Sequence, residues 1–255
     1  MSVTGFGLGV VAAVAYSQWT DWRMATLGFV VMLAWLVADG LDGMIARSTG
    51  TASAVGRVLD GICDHGVFAL IYITLAATVN TATGWVIVVA AGIAHALQSN
   101  LYESERHRFH RRVRGDSGEV RPVRSGNPFE RLYDAFSGLF ERFTDPFDRA
   151  LRRSANPAAM GAQYGHKAAP ALHFMALLTA NTRVIAIFIA CIAGSPMYFW
   201  WFELVPQTAI VLIGILWHRR IEALMLGRAR NFGFADTSAE AVTIRFQGNS
   251  SREGF

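Results

Sequence analysis

The sequence predicts an all-α integral membrane protein, a bundle of six transmembrane helices with a cytoplasmic insertion between the fourth and the fifth. Hydrophobic residues make up 53% of the 255-residue chain, and the mean hydropathy is +0.31. Several nearly uncharged windows are about 20 residues long, which is the length that crosses a bilayer as a helix. An Arg-rich polar stretch separates the first group of these windows from the second.

The apolar windows follow one another along the chain with short polar turns between most of them. In chain order the six predicted spans are residues 4–19, 24–46, 58–79, 85–101, 169–192 and 197–217. The predicted organisation is therefore four helices in 1–101, an insertion in 102–168, two helices in 169–222 and a polar tail in 223–255. The first span is short for a full crossing.

The insertion carries 13 basic residues against nine acids. Aromatic and leucine residues recur every three or four positions through 128–151, which predicts an amphipathic helix. We expect this helix to lie on the membrane surface or against the spans, with partner docking as the alternative. Basic residues flank the spans, as cytoplasmic loops require, so nucleic-acid binding is not indicated.

Four acids stand in the second and third spans, where one Asp at the bilayer centre costs about 2.5–3.5 kcal/mol. Asp39 and Asp42 share a face of one predicted helix, and Asp60 and Asp64 share a face of the next. A short loop between the helices would bring the four carboxylates together, where they repel unless cations neutralise them. Carboxylate oxygens suit Mg²⁺, which binds through carboxylates and substrate phosphates. Simple helix capping would not require this pairing of acids.

The full spacing of this segment is D-x-x-D-G-x-x-A-R, eight residues, then G-x-x-x-D-x-x-x-D. It resembles the pattern of the CDP-alcohol phosphotransferase (CDP-alcohol phosphatidyltransferase) family. All eight fixed positions are filled, by Asp39, Asp42, Gly43, Ala46, Arg47, Gly56, Asp60 and Asp64.

The resemblance implies transfer of a phospho-alcohol group from a CDP-linked lipid such as CDP-diacylglycerol to the hydroxyl of a small alcohol or a lipid, with release of CMP. It implies two Mg²⁺ or Mn²⁺ ions as cofactors. Asp39, Asp42 and Asp60 would be the principal metal ligands, and Asp64 would be the general base that also contacts metal.

The same resemblance implies roles for the smaller residues and for the setting of the protein. Gly43, Ala46 and Gly56 would make room for the CMP moiety, and Arg47 would hold phosphate. It further implies a homodimer embedded in membrane lipids. We expect a bacterial inner-membrane protein whose active site faces the cytoplasm, and the acceptor alcohol is left open.

Two alternatives accompany this interpretation. Arg183 lies within the fifth predicted span, where it would either hold an anionic acceptor or neutralise Glu203 structurally. A divalent-cation carrier or channel would also explain intramembrane acids, but it gives no reason for the fixed spacing of Gly43, Ala46, Arg47 and Gly56. An Arg beside a cation path would in addition repel the ion.

Overall fold

The computed structural model describes residues 2–48, 54–116 and 146–227, and every regular element in these ranges is helical. In chain order the helices are α1 (Ser2–Tyr16), α2 (Trp22–Ser48), α3 (Ala54–Val79), α4 (Ala82–Val113), α5 (residues 146–153), α6 (Pro157–Met175), α7 (Ala180–Ile192) and α8 (Met197–Gly227). A π-helical turn, Glu203–Gln207, lies within α8. The all-α class is thus confirmed.

Fewer helices qualify as membrane spans than the sequence predicted. Among the described residues, three are long and apolar enough, and a fourth is added if one bent pair forms a single span. The three are Trp22–Leu41, Ala82–Val113 and Met197–Gly227, and the bent pair is Pro157–Leu178 with Ala180–Ile192. The other two predicted spans correspond to shorter apolar helices, Gly5–Tyr16 and His65–Val79. The candidates therefore number three to four, and the six-helix count stays a prediction.

The first predicted span is too short to cross a membrane as a straight helix. Helix α1 has 15 residues, which cover about 22 Å at 1.5 Å per residue, against about 30 Å for the hydrocarbon core. Helix α3 has 26 residues, and its described part, His65–Val79, is a shorter apolar helix.

The fifth predicted span is not one straight helix. The chain breaks at Thr179, whose backbone is extended (φ −76°, ψ 162°), after a 3₁₀ turn at Ala176–Leu178. The helices on either side are bent by 42°. Helix α6 begins at Pro157, so part of the predicted insertion belongs to this helix.

The fourth predicted span ends near Leu101, whereas helix α4 continues to Val113. Buried ion pairs explain the difference, because Glu105, Arg108 and Arg112 on this extension are at most 8% exposed. The predicted amphipathic helix at 128–151 falls mainly outside the described residues, as does the tail beyond residue 227. Residues 146–153 at its end are helical.

The described residues form two compact units. Unit 1 comprises Met1–Glu103 and Phe174–Ile213, and unit 2 comprises Ser104–His173 and the chain from Gly214. The core of unit 1 is built from α1, α2, α3, α4, α7 and the start of α8. The core of unit 2 joins Phe147, Tyr164, Ala168, Ile221 and Met225.

Close packing of α1 against α3 gives a first prediction. A Cβ added at Gly9 would lie 2.6 Å from Cγ2 of the buried Val67, whereas one added at Gly7 meets nothing within 4 Å. Gly9→Ala is expected to destabilise the protein by about 1–3 kcal/mol through overpacking. Gly7→Ala is the matched control and should be neutral or stabilising, because Ala favours a helix. Equal melting temperatures for the two variants in detergent would contradict this packing.

Candidate functional site

The two halves of the acidic motif lie on consecutive helices, as the sequence predicted. Helix α2 carries the first half, from Asp39 to Arg47, and helix α3 carries the second half, from Gly56 to Asp64. The connection at 49–53 is outside the described residues. Both halves therefore sit at the adjoining ends of two helices.

Helices α2 and α3 touch close to the motif. The rings of Trp35 and Phe68 meet edge to face, with centroids 5.7 Å apart and an interplanar angle of 84°. Both side chains are buried. Trp35 lies one turn before Asp39, and Phe68 lies one turn after Asp64. The described contact thus joins the two helices one turn from the outermost acid on each.

Helix α1 packs against both of these helices near the same level. Phe6 lies beside Gly66 on α3, where an added Cβ would be 3.7 Å from Cε2 of Phe6. A Cβ added at Gly5 would lie 3.6 Å from Nε1 of Trp35 on α2. An added Cβ would make ordinary van der Waals contact at both positions, so α1 packs against both motif helices here.

Of the four motif acids, the structure describes the side chain of Asp39, which is half-buried. Those of the other motif residues, namely Asp42, Gly43, Ala46, Arg47, Gly56, Asp60 and Asp64, are outside the description. Within the described side chains, no group of three or more His, Cys, Asp or Glu could hold a metal ion. The predicted metal ligands, base and nucleotide contacts therefore stay predictions.

A second polar group lies in the core of unit 1, and Arg183 is at its centre. Arg183 is 1% exposed and Glu203 is 0% exposed. The Nε of Arg183 donates to Oε1 of Glu203 at 2.8 Å, and Nη2 donates to Oε1 of Gln98 at 3.1 Å. A third donor, Nη1, bonds the carbonyl of Leu178 just before the helix break. The pairing with Glu203 that the sequence left as one alternative is present, and acceptor binding by Arg183 stays a prediction.

His95 and Gln98 on α4 extend this group, and both are buried. Gln98 donates from Nε2 to the backbone carbonyl of Glu203 at 2.9 Å and to Oγ1 of Thr208 at 3.0 Å. The Nδ1 of His95 lies 3.2 Å from the hydroxyl of Tyr72. From sequence alone, His95 and Gln98 in the last turns of the fourth predicted span are expected to be interfacial polar side chains, with substrate contact as the alternative. Their spacing of three, which puts both on one helix face, was the available signal for a shared role.

Unit 2 contains a separate buried ion-pair cluster that sequence reasoning missed. Arg112 donates to both carboxylate oxygens of Asp148, at 2.7 and 3.1 Å, and from Nη1 to Glu222. Its guanidinium carbon lies 5.0 Å from the ring centroid of Phe147 and 5.5 Å from that of Tyr164. Such a bidentate, stacked arginine ties three helices together through geometry that a lysine could not provide.

Glu105 is the second acid at the centre of this cluster, and it contacts Arg108, Arg219 and His218. It accepts from Nη2 of Arg219 at 2.7 Å, and Nη2 of Arg108 lies 3.2 Å away. The Nδ1 of the fully buried His218 lies 3.3 Å from its second oxygen. The i, i+3 spacing of Glu105 with Arg108, and of Arg219 with Glu222, was the sequence signal for these pairs.

Comparison with known proteins bears on the first four helices. Residues 2–113, the segment from α1 to the end of α4, match the model of the CDP-alcohol phosphatidyltransferase family. Comparison with curated proteins and with solved structures gives no significant match. The apolar helices and this match together indicate an integral membrane protein, and the matched family is one of CDP-alcohol transferases. The matched segment, residues 2–113, contains the whole acidic motif from Asp39 to Asp64.

Proposed function

We propose that the protein transfers a phosphatidyl group from CDP-diacylglycerol, or a related phospho-alcohol group from another CDP-alcohol, to a hydroxyl acceptor and releases CMP. The observation that carries this proposal is the complete acid and small-residue pattern on two helices that touch one turn from each outermost acid. The family match over residues 2–113 supports the same reaction class.

The contact between Trp35 and Phe68 supports the convergence of the acids. It lies about 20 Å from the adjoining end of each helix at 1.5 Å per residue, so the two helices are in contact at a distance from their connection. Asp39 and Asp64 are each one turn from this contact along their helices, so we infer that they lie at similar levels. One further turn along each helix leads to Gly43 and Asp60.

This arrangement fits the implied metal ions. Four carboxylates on two adjoining helix ends supply the hard oxygen ligands that Mg²⁺ and Mn²⁺ prefer. Asp39, Asp42, Asp60 and Asp64 would hold the ions. When bound, two such cations neutralise the carboxylates and the donor's pyrophosphate and stabilise charge on the attacking and leaving oxygens.

The chain's own residues then account for the proton and for the placement of the reactants. Asp64 accepts the proton of the acceptor hydroxyl, and the resulting oxygen forms a bond to the phosphorus of the phospho-alcohol group. The bond between that phosphorus and the bridging oxygen breaks, and CMP leaves with the electron pair. Holding both substrates at one place removes much of the entropic cost of their encounter.

The small residues provide space for the nucleotide. At Gly43, Ala46 and Gly56 a larger side chain would fill the room that the CMP moiety needs next to the helices. Arg47 presents a fork of donors that matches phosphate oxygens. The acyl chains of the donor enter from the surrounding lipid between helices, so they never cross water.

The wider setting belongs to the same proposal. The site faces the cytoplasm, where the water-soluble nucleotide is released, and the protein lies in a bacterial inner membrane as a homodimer. The acceptor is a small alcohol or a lipid hydroxyl. Exposed apolar side chains such as Val37 on α2 and Ile189 on α7, at 62% and 59% exposure, support contact with lipid or with a second copy.

The decisive experiment uses the full chain in lipid vesicles that contain CDP-diacylglycerol. Release of CMP is measured against a panel of acceptors: glycerol 3-phosphate, inositol, inositol phosphate, serine and choline. We expect release to require one acceptor together with Mg²⁺ or Mn²⁺, and to stop when a chelator is added. Metal flux into the vesicles without CMP release for any acceptor or CDP-linked donor would contradict the proposal.

A further inference from the structure

The ring of His95 lies against one face of the second motif helix. Its centroid is 5.7 Å from the ring of His65, 4.8 Å from that of Phe68 and 5.8 Å from that of Tyr72. These three residues are spaced by three and four, so they form one stripe of α3, and the stripe begins directly after Asp64. His95 itself is 5% exposed. It therefore packs on the part of α3 that directly follows Asp64 in the sequence.

The polar side of His95 faces two further groups. Nδ1 lies within hydrogen-bond distance of the Tyr72 hydroxyl, at 3.2 Å, while Oε1 of Glu203 is 3.8 Å away. Since 3.8 Å exceeds a hydrogen bond, Tyr72 is the direct partner and Glu203 contributes an electrostatic contact. Glu203 is held in turn by Arg183. His95 thus connects α3 to a buried ion pair between α7 and α8.

Phe68 continues the connection in the other direction. Its ring touches His95 on one side and Trp35 of α2 on the other. The chain of contacts runs from α2 through α3 to α4, α8 and α7, entirely within unit 1. It meets α2 one turn before Asp39 and α3 one turn after Asp64. Any shift of α3 along or about its axis would have to break the contact between His95 and Tyr72.

We propose that His95 is a positioning residue for the phosphotransfer site. Through Tyr72 and Phe68 it fixes the level and the rotation of α3, and thereby the place of Asp60 and Asp64 relative to the acids of α2. The inference rests on the proposed function. A misplacement of about 1 Å in such a site costs roughly 100-fold in rate, which is why a residue that touches no substrate can control turnover.

The test compares His95→Phe with His95→Asn in the full-length protein. Phe keeps an aromatic ring against Phe68 but removes the hydrogen bond to Tyr72. Asn places an amide atom near the position of Nδ1 and can keep that bond, while it loses the ring. Tyr72→Phe removes the other partner of the same bond. We expect His95→Phe and Tyr72→Phe to lower kcat by about 10- to 100-fold with little change in donor KM.

Two further measurements do not depend on activity. Binding of Mn²⁺ to the purified protein, followed by its paramagnetic resonance signal, should weaken in His95→Phe and recover in His95→Asn. Nitroxide labels at Val37 on α2 and Ile73 on α3, which are 62% and 55% exposed, should report a shifted or broadened distance in His95→Phe. Combining His95→Phe with Tyr72→Phe should lower kcat by less than the product of the two single losses, because both substitutions remove the same hydrogen bond.

The outcomes separate the two proposals. If the wild-type protein releases no CMP with any acceptor, the proposed function fails, and the label distance and Mn²⁺ binding still judge the role of His95. If wild type is active and His95→Phe matches it in kcat, Mn²⁺ binding and label distance, the positioning role is wrong. A loss of activity that follows only the loss of folded protein, with His95→Asn no better than His95→Phe, would overturn it as well.

Discussion

Asp60→Asn is expected to abolish transfer, whereas Asp64→Asn is expected to lose turnover and keep much of its donor binding. An Asn at position 60 removes a proposed metal ligand and with it several kcal/mol of charge stabilisation, about three orders of magnitude in rate. An Asn at position 64 removes the proposed base, which contributes about 10²- to 10⁴-fold. Asp39→Asn and Asp42→Asn should behave as Asp60→Asn does.

Mn²⁺ binding, nucleotide binding and CMP release are measured on each purified variant. Asp21→Asn is the matched control, because Asp21 is an exposed acid in the turn before α2, where its carboxylate accepts a hydrogen bond from the backbone N–H of Arg23. It should retain full activity. If Asp64→Asn bound metal and nucleotide as poorly as Asp60→Asn, the proposed division of roles between metal ligands and general base would be wrong.

The part of this site that could be predicted from sequence is the part encoded in local spacing. Asp39 and Asp42, and likewise Asp60 and Asp64, fall on helix faces because three- and four-residue spacing follows the helical period. The structure has both segments on helices. The contact between Trp35 and Phe68 pairs residues 33 positions apart in the chain, and no periodicity specifies such a partner.

Long-range ion pairs account for most of what the sequence did not predict. A hydropathy window treats the charged end of α4 as solvent-exposed, yet Glu105 and Arg112 are buried by partners on α8. The helix break at Thr179 was likewise not predicted, because a hydropathy window does not include contacts between distant parts of the chain. The carbonyl of Leu178, next to the break, accepts a hydrogen bond from Arg183, and this contact appears only when the helices pack.

The sequence left two roles open for Arg183, binding of an anionic acceptor and structural pairing with Glu203. Its contacts favour the structural role. Nε, Nη1 and Nη2 each bond a protein acceptor, so the guanidinium is engaged on all its nitrogens. Glu203, its carboxylate partner, is fully buried. Removing one partner of a buried pair leaves the other as an uncompensated charge, which costs about 3–5 kcal/mol.

Arg183→Ala is therefore expected to lower the melting temperature and the folded yield. The sharper variant is the double substitution Arg183→Met with Glu203→Met, which removes both charges and keeps similar volume. If the pair is structural, the double variant should recover most of the lost stability, because well-packed apolar residues often replace a buried ion pair at little cost. Thermal unfolding of the wild type, Arg183→Ala and the double variant in the same detergent measures this.

Kinetics on the same proteins decide whether Arg183 also holds the acceptor. A lost charged contact of roughly 1.5–3 kcal/mol would raise the acceptor KM by one to two orders of magnitude and leave the donor KM unchanged. Restoring stability in the double variant cannot restore that contact, because the guanidinium is still absent. A stable double variant with normal acceptor KM would contradict acceptor binding. A stable double variant with a high acceptor KM would show that one arginine serves both the fold and the substrate.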